Sequence, residues 1–466
     1  MHRARTNIIF RLFALLLVAN ATASRADLTN VVNFGDYHVF AAVHNMLELP
    51  DDQPVTEGNI LNLTYLNTSC CSFSPITSFT GLEYATNLQE IATSVSSGIS
   101  FEPLATLPRL TSLTLNDSGI ADVTPLLSLT NLQFLDLTFC SVTNLAQLAS
   151  HPSLQELVYK DGTTTNAELF LPLTNLNTLG LEGNLIQDVS PFLMMTNLTG
   201  LALAENPLTN VALLGTKTNL TALYLYNIGL TNCSFITNLT ALTNLDLSFN
   251  HIDGLAPIGR LAGLEFLSVG GNLPTDGAFL QPLTALRFLD VRSLGLRTVS
   301  MLSGATNVEF LELDQNHIQD LSPLSGMRKL KSFLATQNLI TNVTVLTNAP
   351  ALSYVYLGNN YLYDQDYNYN LSAYQLSQQV HAIGGHFSLG SQKLWGTVKL
   401  NFRAETDGLH LHWDSSPTNL LFRLEMSFDG LNWMPSNPSP FNPIYEKEIV
   451  IPIVEPNTFF RTSIAW

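Results

Sequence analysis

The stretch Val308–Lys329, VEFLELDQNHIQDLSPLSGMRK, carries the pattern that decides the fold of this chain. Its first residue belongs to a set of thirteen apolar residues spaced 22 positions apart, which we call anchors. An apolar residue follows three positions after every anchor, another usually follows at five, and an asparagine recurs at eight. The anchors are Leu88, Leu110, Leu132, Leu154, Leu176, Leu198, Leu220, Leu242, Leu264, Leu286, Val308, Leu330 and Leu352. The asparagines are Asn184, Asn206, Asn250, Asn272, Asn316, Asn338 and Asn360.

The pattern L-x-x-L-x-L-x-x-N with a period in the twenties is typical of a leucine-rich-repeat solenoid. Alternate side chains of a short strand point inward, so each coil adds one strand to a parallel sheet on the concave face. We expect each asparagine to bond backbone groups of its own turn and of the next coil. Prolines fifteen positions after an anchor favour 3₁₀ or irregular segments on the convex face; they are Pro125, Pro191, Pro257 and Pro323.

Outside the repeats the sequence changes character. Residues 1–26 have the features of a secretory signal peptide, with arginines before a short apolar run and small residues for cleavage. We assign a helical N-terminal cap to 34–62, the solenoid with a terminal capping helix to 63–395, and a small β-sandwich-like domain to 396–466. We therefore expect a secreted, periplasmic or cell-surface protein without a membrane span after removal of the signal.

Three sequence segments carry a family resemblance. The cap ends in PVTEGNILNLTYL, the junction reads GLEYATNL, and the 22-residue coils follow N-x-I-x-D-x-x-P-L-x-x-L-T-N. Over roughly 34–395 the chain resembles the bacterial internalin-type leucine-rich-repeat family. The resemblance implies a secreted or surface-displayed module whose concave face binds a partner protein.

The C-terminal segment contains all four tryptophans and short alternating strands. LFRLEMSFDGLNW followed by TFFR resembles a fibronectin-III-like module. This suggests an alternative function, in which the solenoid is a structural spacer that presents a carbohydrate- or surface-binding β domain.

Composition and motifs argue against several other functions. Acidic residues exceed basic ones by 37 to 20, so we expect no nucleic-acid partner. The chain has no Gly-x-Ser-x-Gly, HExxH, phosphate-loop or CxxC motif. Asp290 and Glu312 would lie roughly 5 Å apart on adjacent strands, near the spacing of a retaining glycosidase pair. A flat open sheet excludes water poorly, so we predict no enzyme and no cofactor.

Three local features leave alternatives open. Cys71 and Cys140 stand in the asparagine position, which favours structural thiols over a disulfide. Asp364-x-Asp366-x-Asn368-x-Asn370 resembles the start of a calcium loop but lacks its glycine and distal glutamate, which favours a polar loop. The coil Leu154–Asn175 departs most from the pattern, and we interpret it as drift rather than as a binding feature.

The candidate binding site lies on the concave face, at positions two, four and six after the anchors. Phe266, Phe288 and Phe310 occupy position two on consecutive coils, beside acidic residues at position four. Arg292 and Asp314 occupy position six on adjacent coils, where they predict a surface ion pair. The predicted partner-binding residues are Phe266, Phe288, Phe310, Asp246, Asp290, Arg292, Glu312, Asp314, Tyr224, Tyr226, Tyr354 and Tyr356. We expect a partner protein with an apolar or aromatic patch and a lysine or arginine.

Overall fold

The computed structural model describes residues 29–68, 74–273, 275–362, 370–390 and 392 with their side chains, and the backbone of six strands between 400 and 465. The chain divides into two units, Met1–Leu154 and Gln155–Trp466. The signal-like residues 1–26, Cys70, Cys71 and the calcium-loop-like residues 364–369 lie outside the described residues.

The first unit begins with a helix, α1 (Tyr37–Met46), which buries Val39, Ala42 and Val43. Asp36 caps this helix, because its carboxylate accepts hydrogen bonds from the backbone nitrogens of His38 and Val39. The second carboxylate oxygen of Asp36 accepts bonds from the backbone nitrogen and the hydroxyl of Thr77, each 2.8 Å long. One side chain thus caps the helix and fastens it to the loop before the first complete repeat.

Four three-residue strands of the first unit form a parallel sheet in sequence order: β1 (Tyr65–Asn67), β2 (Glu90–Ala92), β3 (Ser112–Thr114) and β4 (Phe134–Asp136). Short segments return the chain between strands: α2 (Glu102–Ala105) and the 3₁₀ segments Ile60–Asn62, Leu82–Tyr84, Thr124–Ser128 and Leu145–Ser150. In the asparagine position, the buried Cys140 donates its Sγ–H to Leu115 O at 3.0 Å. Cys140 is a free thiol, as the repeat position predicts.

The second unit continues the same architecture with eleven strands. They are β5 (Glu156–Val158), β6 (Thr178–Gly180), β7 (Gly200–Ala202), β8 (Ala222–Tyr224), β9 (Asn244–Asp246), β10 (Phe266–Ser268), β11 (Phe288–Asp290), β12 (Phe310–Glu312), β13 (Ser332–Leu334), β14 (Tyr354–Tyr356) and β15 (His386–Ser388). Every strand pairs with the next in parallel, for example Leu289 with Leu311. The central residue of each strand from β5 to β14 is buried, and each leucine among them contributes roughly 1.5–3 kcal/mol.

The convex side of the second unit consists of short segments. They are α3 (Ser190–Met194) and the 3₁₀ segments Ala167–Phe170, Val211–Thr216, Ser234–Asn238, Ala256–Arg260, Ala278–Leu280, Ser300–Leu302, Ser322–Gly326 and Thr344–Asn348. Proline stands in the first turn of several of them, where no helical hydrogen-bond donor is lost. The predicted leucine-rich-repeat solenoid, with a parallel sheet on one face and 3₁₀ segments on the other, is confirmed.

The recurring asparagines connect successive coils through their buried side-chain amides. Asn316 donates from Nδ2 to Val291 O on the preceding coil at 3.0 Å and to Leu313 O on its own coil at 2.9 Å. Its Oδ1 accepts from the backbone nitrogen of Leu296, again on the preceding coil, at 2.9 Å. The bonds therefore run to the preceding coil, and the expectation that they reach the next coil is wrong. The reason is that the turn after the strand places the side-chain amide of Asn316 against the preceding coil.

In two coils of the second unit a bulky apolar residue replaces the asparagine, and the following asparagine compensates. Ile228 and Leu294 occupy the position instead. Asn250 Oδ1 accepts from the backbone nitrogens of both Ile228 and Leu230, at 3.1 and 2.9 Å. Asn316 Oδ1 likewise accepts a second bond, from Leu294 N at 3.2 Å. The Oδ1 atom of each of these two asparagines thus accepts two backbone bonds, whereas that of Asn206 accepts one.

The asparagines that connect successive coils form what we call the ladder, in which each side-chain amide is one rung. The ladder ends in a glutamine. Helix α4 (Leu371–Ala382) is inserted before β15, so the 22-residue frame no longer supplies an asparagine there. Gln392 donates from Nε2 to Leu357 O at 2.7 Å and accepts from Leu362 N at 3.1 Å. These are the two bonds that an asparagine makes to the preceding coil elsewhere, so Gln392 is the last rung.

Six further strands are described in their backbone: β16 (Leu400–Glu405), β17 (Gly408–Trp413), β18 (Leu421–Ser427), β19 (Met434–Pro435), β20 (Glu448–Ile451) and β21 (Phe459–Ala465). They form two three-stranded antiparallel sheets with the orders β16-β17-β20 and β19-β18-β21. The sandwich and its fibronectin-III likeness remain predictions. Within the described part of the chain, no helix has the length and apolarity needed to cross a bilayer.

Candidate functional site

The predicted aromatic residues lie side by side on the concave face of the second unit. Phe266 pairs with Phe288 and Phe288 with Phe310 in the strand register. The rings of Phe266 and Phe288 are stacked, with centroids 4.4 Å apart and planes 13° from parallel. Phe266 is nearly buried at 8% exposure, whereas Phe310 is 42% exposed. The column therefore stabilises the sheet at one end and offers an apolar surface at the other.

Two further exposed aromatic residues lie on β14, separated from Phe310 by Ser332 on β13. Tyr354 is 56% exposed, and Tyr356 is also exposed. The ring of Tyr356 lies 5.0 Å from that of His386 on β15. Phe310, Tyr354 and Tyr356 together form what we call the aromatic surface. Tyr224 contacts Phe266 with ring centroids 6.4 Å apart but is buried, so its contribution to a binding surface is small.

Arg292 organises the acidic residues beside the aromatic column. Its guanidinium contacts Asp290 at 2.6 Å and Glu312 on the next strand at 2.8 Å. Both carboxylates are buried, with Asp290 only 1% exposed. Burial lowers the pKa of Arg292, but hydrogen bonds and charges from Asp290 and Glu312 outweigh it and raise the pKa above its usual value. Arg292 thus contacts both buried acids and offsets one of their two negative charges.

The predicted ion pair between Arg292 and Asp314 is wrong. Arg292 leans back over Gly270 on the preceding coil, where a Cβ would lie only 2.7 Å from Arg292 Cγ. That missing side chain gives the arginine room to reach its own strand's carboxylate. Asp314 instead accepts bonds from the backbone nitrogen and the hydroxyl of Thr336, at 2.6 and 2.7 Å.

Asp246 extends the acidic cluster to β9, where no lysine or arginine among the described residues forms an ion pair with it. It accepts bonds from the backbone nitrogen and the hydroxyl of Ser248, at 2.9 and 2.6 Å. Burial, together with the charge of Asp290, raises the pKa of Asp246 to about 6. Ser268 lies between the two acids in register and donates to Asp290 Oδ2 at 3.1 Å. The cluster carries more negative than positive charge, which favours an incoming cation.

One aromatic residue of this face was missed by the sequence interpretation. Phe249 stands seven positions after an anchor. The residue at this position has a left-handed backbone in each of ten successive coils of the second unit, with φ between 52° and 74°. A bulky side chain is uncommon in that conformation. The Phe249 ring is 38% exposed and lies 5.9 Å below the Arg292 guanidinium. A large aromatic residue at a position otherwise filled mostly by Gly, Asn, Asp, Ser, Gln and Glu was the available signal.

The sequence interpretation also missed a buried ion pair at the other end of the same sheet. Lys160 Nζ lies 2.7 Å from Glu182 Oε1, and both side chains are largely buried. Tyr226 is half-buried nearby, and burial together with the charges of Glu182 and Glu205 raises its pKa. Lys160 and Glu182 both stand six positions after an anchor on adjacent coils, so the register itself was the signal.

Comparisons with known proteins do not assign the chain to a family. No family model matches the chain, and no curated protein sequence matches it. A solved internalin of Listeria monocytogenes is 25% identical, with a TM-score of 0.48 over 71% of this chain and 98% of that one. A leucine-rich-repeat protein of Leptospira interrogans is 18% identical, with a TM-score of 0.43 over 72% of this chain and 97% of that one. A plant peptide hormone receptor is 16% identical, with a TM-score of 0.45 over 67% and 57% of the two chains.

Proposed function

We propose that this chain is an exported protein-binding module. Its concave face, from β9 to β14, holds a partner segment with an apolar or aromatic side chain next to a lysine or arginine. The observation that carries the proposal is the aromatic surface of Phe310, Tyr354 and Tyr356. These rings stay exposed, while Leu311 and Val355, which follow Phe310 and Tyr354 in their strands, are fully buried. Exposed aromatic side chains on one face are frequent anchors of protein interfaces.

The charge of the concave face defines the partner further. In the coils anchored from Leu154 to Leu352, positions two, four and six carry six acids and two bases. They are Glu156, Glu182, Asp246, Asp290, Glu312 and Asp314, with Lys160 and Arg292. An acidic concave surface attracts and orients a basic partner, mainly by speeding association at low salt. A basic segment with an apolar anchor therefore fits this face better than an acidic or uncharged one.

A peptide selection tests this proposal. Random peptides displayed on phage are selected against the full chain without residues 1–26. The affinity of the selected peptides is then measured for this chain and for its variants Phe310→Ala and Gln319→Ala. We expect basic peptides with an aromatic or aliphatic residue, whose affinity falls by about 2 kcal/mol, or roughly 30-fold, in Phe310→Ala. Gln319→Ala on the convex side is the matched control and leaves the affinity unchanged.

Two results would count against the proposal. Peptides that bind Phe310→Ala as tightly as the original chain would remove the aromatic surface from the site. Selected peptides that respond only to changes within 396–466 would support the spacer alternative. Substituting Asp290 is not a suitable probe, because its carboxylate is buried against Arg292 and its loss perturbs the fold.

Export is a second part of the proposal. Residues 1–26 combine early arginines, an apolar run and small residues, which together favour cleavage by a signal peptidase. N-terminal sequencing of the protein recovered outside the cytoplasm of an expressing bacterium tests this. We expect a new terminus close to Ala23–Ala26, and retention of Met1 would contradict export.

A further inference from the structure

The coil Leu154–Asn175, which departs most from the repeat, is adjusted to its neighbours residue by residue. Tyr159 replaces the usual leucine, and its buried ring occupies space beside the asparagine position. Gly162 stands in that position, where a Cβ would lie 2.8 Å from the Tyr159 ring and 2.7 Å from Asn184 Oδ1. On the next coil, a Cβ at Gly183 would lie 2.5 Å from Asp161 Oδ1. The departures of this coil from the repeat are thus fitted to one another and to the next coil.

The feature that these adjustments surround is the ion pair of Lys160 and Glu182. Glu182 is 2% exposed, and Lys160 reaches its Oε1 from the preceding coil. The carboxylate lies directly over Gly180, because a Cβ there would be 3.2 Å from Oε2. Among the described residues, neither carboxylate oxygen accepts a hydrogen bond of good geometry, although Oε1 lies 2.7 Å from the ammonium group. A buried carboxylate oxygen without a donor is costly, so the ammonium group satisfies this site only in part.

A guanidinium would satisfy the same carboxylate completely. An ammonium group on a flexible stem acts as a point charge, whereas the planar guanidinium donates two parallel N–H bonds to both oxygens of a carboxylate. It also loses less hydration on burial and stacks on aromatic rings such as that of Tyr226. The acids Glu156 and Asp161 on the coil of Lys160, and Glu205 on the coil after Glu182, add to the negative field.

We propose that Glu182 is the receptor for an arginine side chain of a partner protein, and that Lys160 occupies this site in the free chain and leaves when the arginine enters. The exchange keeps Glu182 paired throughout, while Lys160 is released into water. Lys160 is thus a built-in competitor that sets how tightly the site holds its ligand. The site lies on β5 to β8, apart from the aromatic surface, so either proposal can fail without the other.

The first test compares affinities for an acetylated and amidated hexa-arginine peptide by calorimetry at 0.15 M salt, with the full chain lacking residues 1–26. Lys160→Met removes the competitor and keeps its aliphatic bulk, so we expect about tenfold tighter binding. Lys331→Met removes the same charge from a lysine whose side chain is half exposed, and we expect less than a twofold change. Equal effects of Lys160→Met and Lys331→Met would overturn the proposal, since the gain would then reflect net charge alone.

A second pair of variants identifies the receptor carboxylate. In the Lys160→Met background, Glu182→Gln returns the affinity to that of the original chain or below, because the amide no longer pairs with a guanidinium. Glu205→Gln removes the same charge from an exposed acid of the next coil and changes affinity less than about twofold. A loss that is equal in the two variants would show unspecific attraction and contradict the assignment of Glu182.

A third measurement uses the unaltered sequence and decides the matter if Lys160→Met does not fold. Lysine acylation by a water-soluble ester is followed by mass spectrometry with and without saturating hexa-arginine peptide, which has no amine of its own. We expect Lys160 to be protected in the free chain and to react several-fold faster when the peptide is bound, while Lys331 stays constant. Unchanged reactivity of Lys160 at saturation would overturn the exchange.

Discussion

Replacing Arg292 by methionine tests whether the charge cluster of the concave face is a buried network or a surface feature. The guanidinium side chain is 20% exposed and contacts Asp290 at 2.6 Å and Glu312 at 2.8 Å, and these carboxylates are 2% and 7% exposed. Arg292→Met therefore leaves two buried negative charges without their cation. Breaking a buried pair from one side costs about 3–5 kcal/mol, far more than the pair contributes to stability when both partners are present.

Arg287 is the matched control for this experiment. It lies on the same coil, directly before β11, and its contact with Glu309 is 2.7 Å long. The Arg287 side chain is 58% exposed, so solvent screens the pair and Arg287→Met should cost at most about 1 kcal/mol. The two variants thus remove the same side chain at similar contact distances and differ mainly in burial.

Urea unfolding at pH 7.5, followed by far-ultraviolet circular dichroism, compares the two. Tryptophan fluorescence is unsuitable, because all four tryptophans lie at 395 or later and report on another part of the chain. We expect a clearly lower midpoint for Arg292→Met and almost none of this shift for Arg287→Met. The triple variant with Asp290→Asn and Glu312→Gln should recover most of the loss, since neutral amides need no cation. Similar midpoints for the two arginine variants would refute the buried-network interpretation.

Three further changes test other parts of the fold by the same assay. Asn316→Ala leaves more backbone groups without a hydrogen-bond partner than Asn206→Ala does, so it should lower the free energy of unfolding more, by about 1–3 kcal/mol. Gln319→Ala on the convex face should change it almost not at all. Equal losses at all three positions would contradict the role of the asparagines. The raised pKa of Asp246, about 6 against roughly 3.9 in the unfolded chain, makes stability fall as pH rises from 4 to 7. Asp246→Asn should abolish that fall and add about 1–2 kcal/mol at pH 7.5, and an unaltered pH profile would show that another group titrates. Burial lowers the pKa of Lys217, so Lys217→Met should be more stable than the original chain at pH 7 and lose this advantage toward pH 11. A variant that is less stable at pH 7 would mean that the hydrogen bond from Lys217 Nζ to Met195 O outweighs the cost of burying the charge.

The spacing of the anchors was sufficient to predict the sheet, because a fixed period leaves only one way for successive coils to stack. The strands, the asparagine positions and the buried strand centres all follow from it. The pairing of charged side chains did not follow, as two arrangements in the same register show. Lys160 pairs with the residue 22 positions later, whereas Arg292 folds back onto Asp290 two positions earlier.

The difference between these two arrangements comes from their neighbours. Lys160 has the apolar Val158 two positions before it and therefore reaches across to the next coil. Arg292 has Asp290 there, together with an empty space over Gly270. Gln392 could not be predicted for another reason, since the inserted helix α4 shifts the frame and only the folded backbone brings the glutamine to the ladder. Register alone does not determine partners when a nearer group competes.

The direction of the asparagine bonds gives the second unit a mechanical polarity. Each rung fastens the coil before it, so tension applied at the C-terminal side of Gln392 first breaks the rung that closes the ladder. Each coil that then unfolds removes the asparagine that bonded the preceding coil. Unfolding therefore proceeds toward the N-terminus one coil at a time. Each step releases 22 residues, or roughly 75 Å of extended chain. Under tension from its C-terminal side, the solenoid would therefore lengthen in equal steps. The same force directed across the strands would instead load all the asparagine bonds at once.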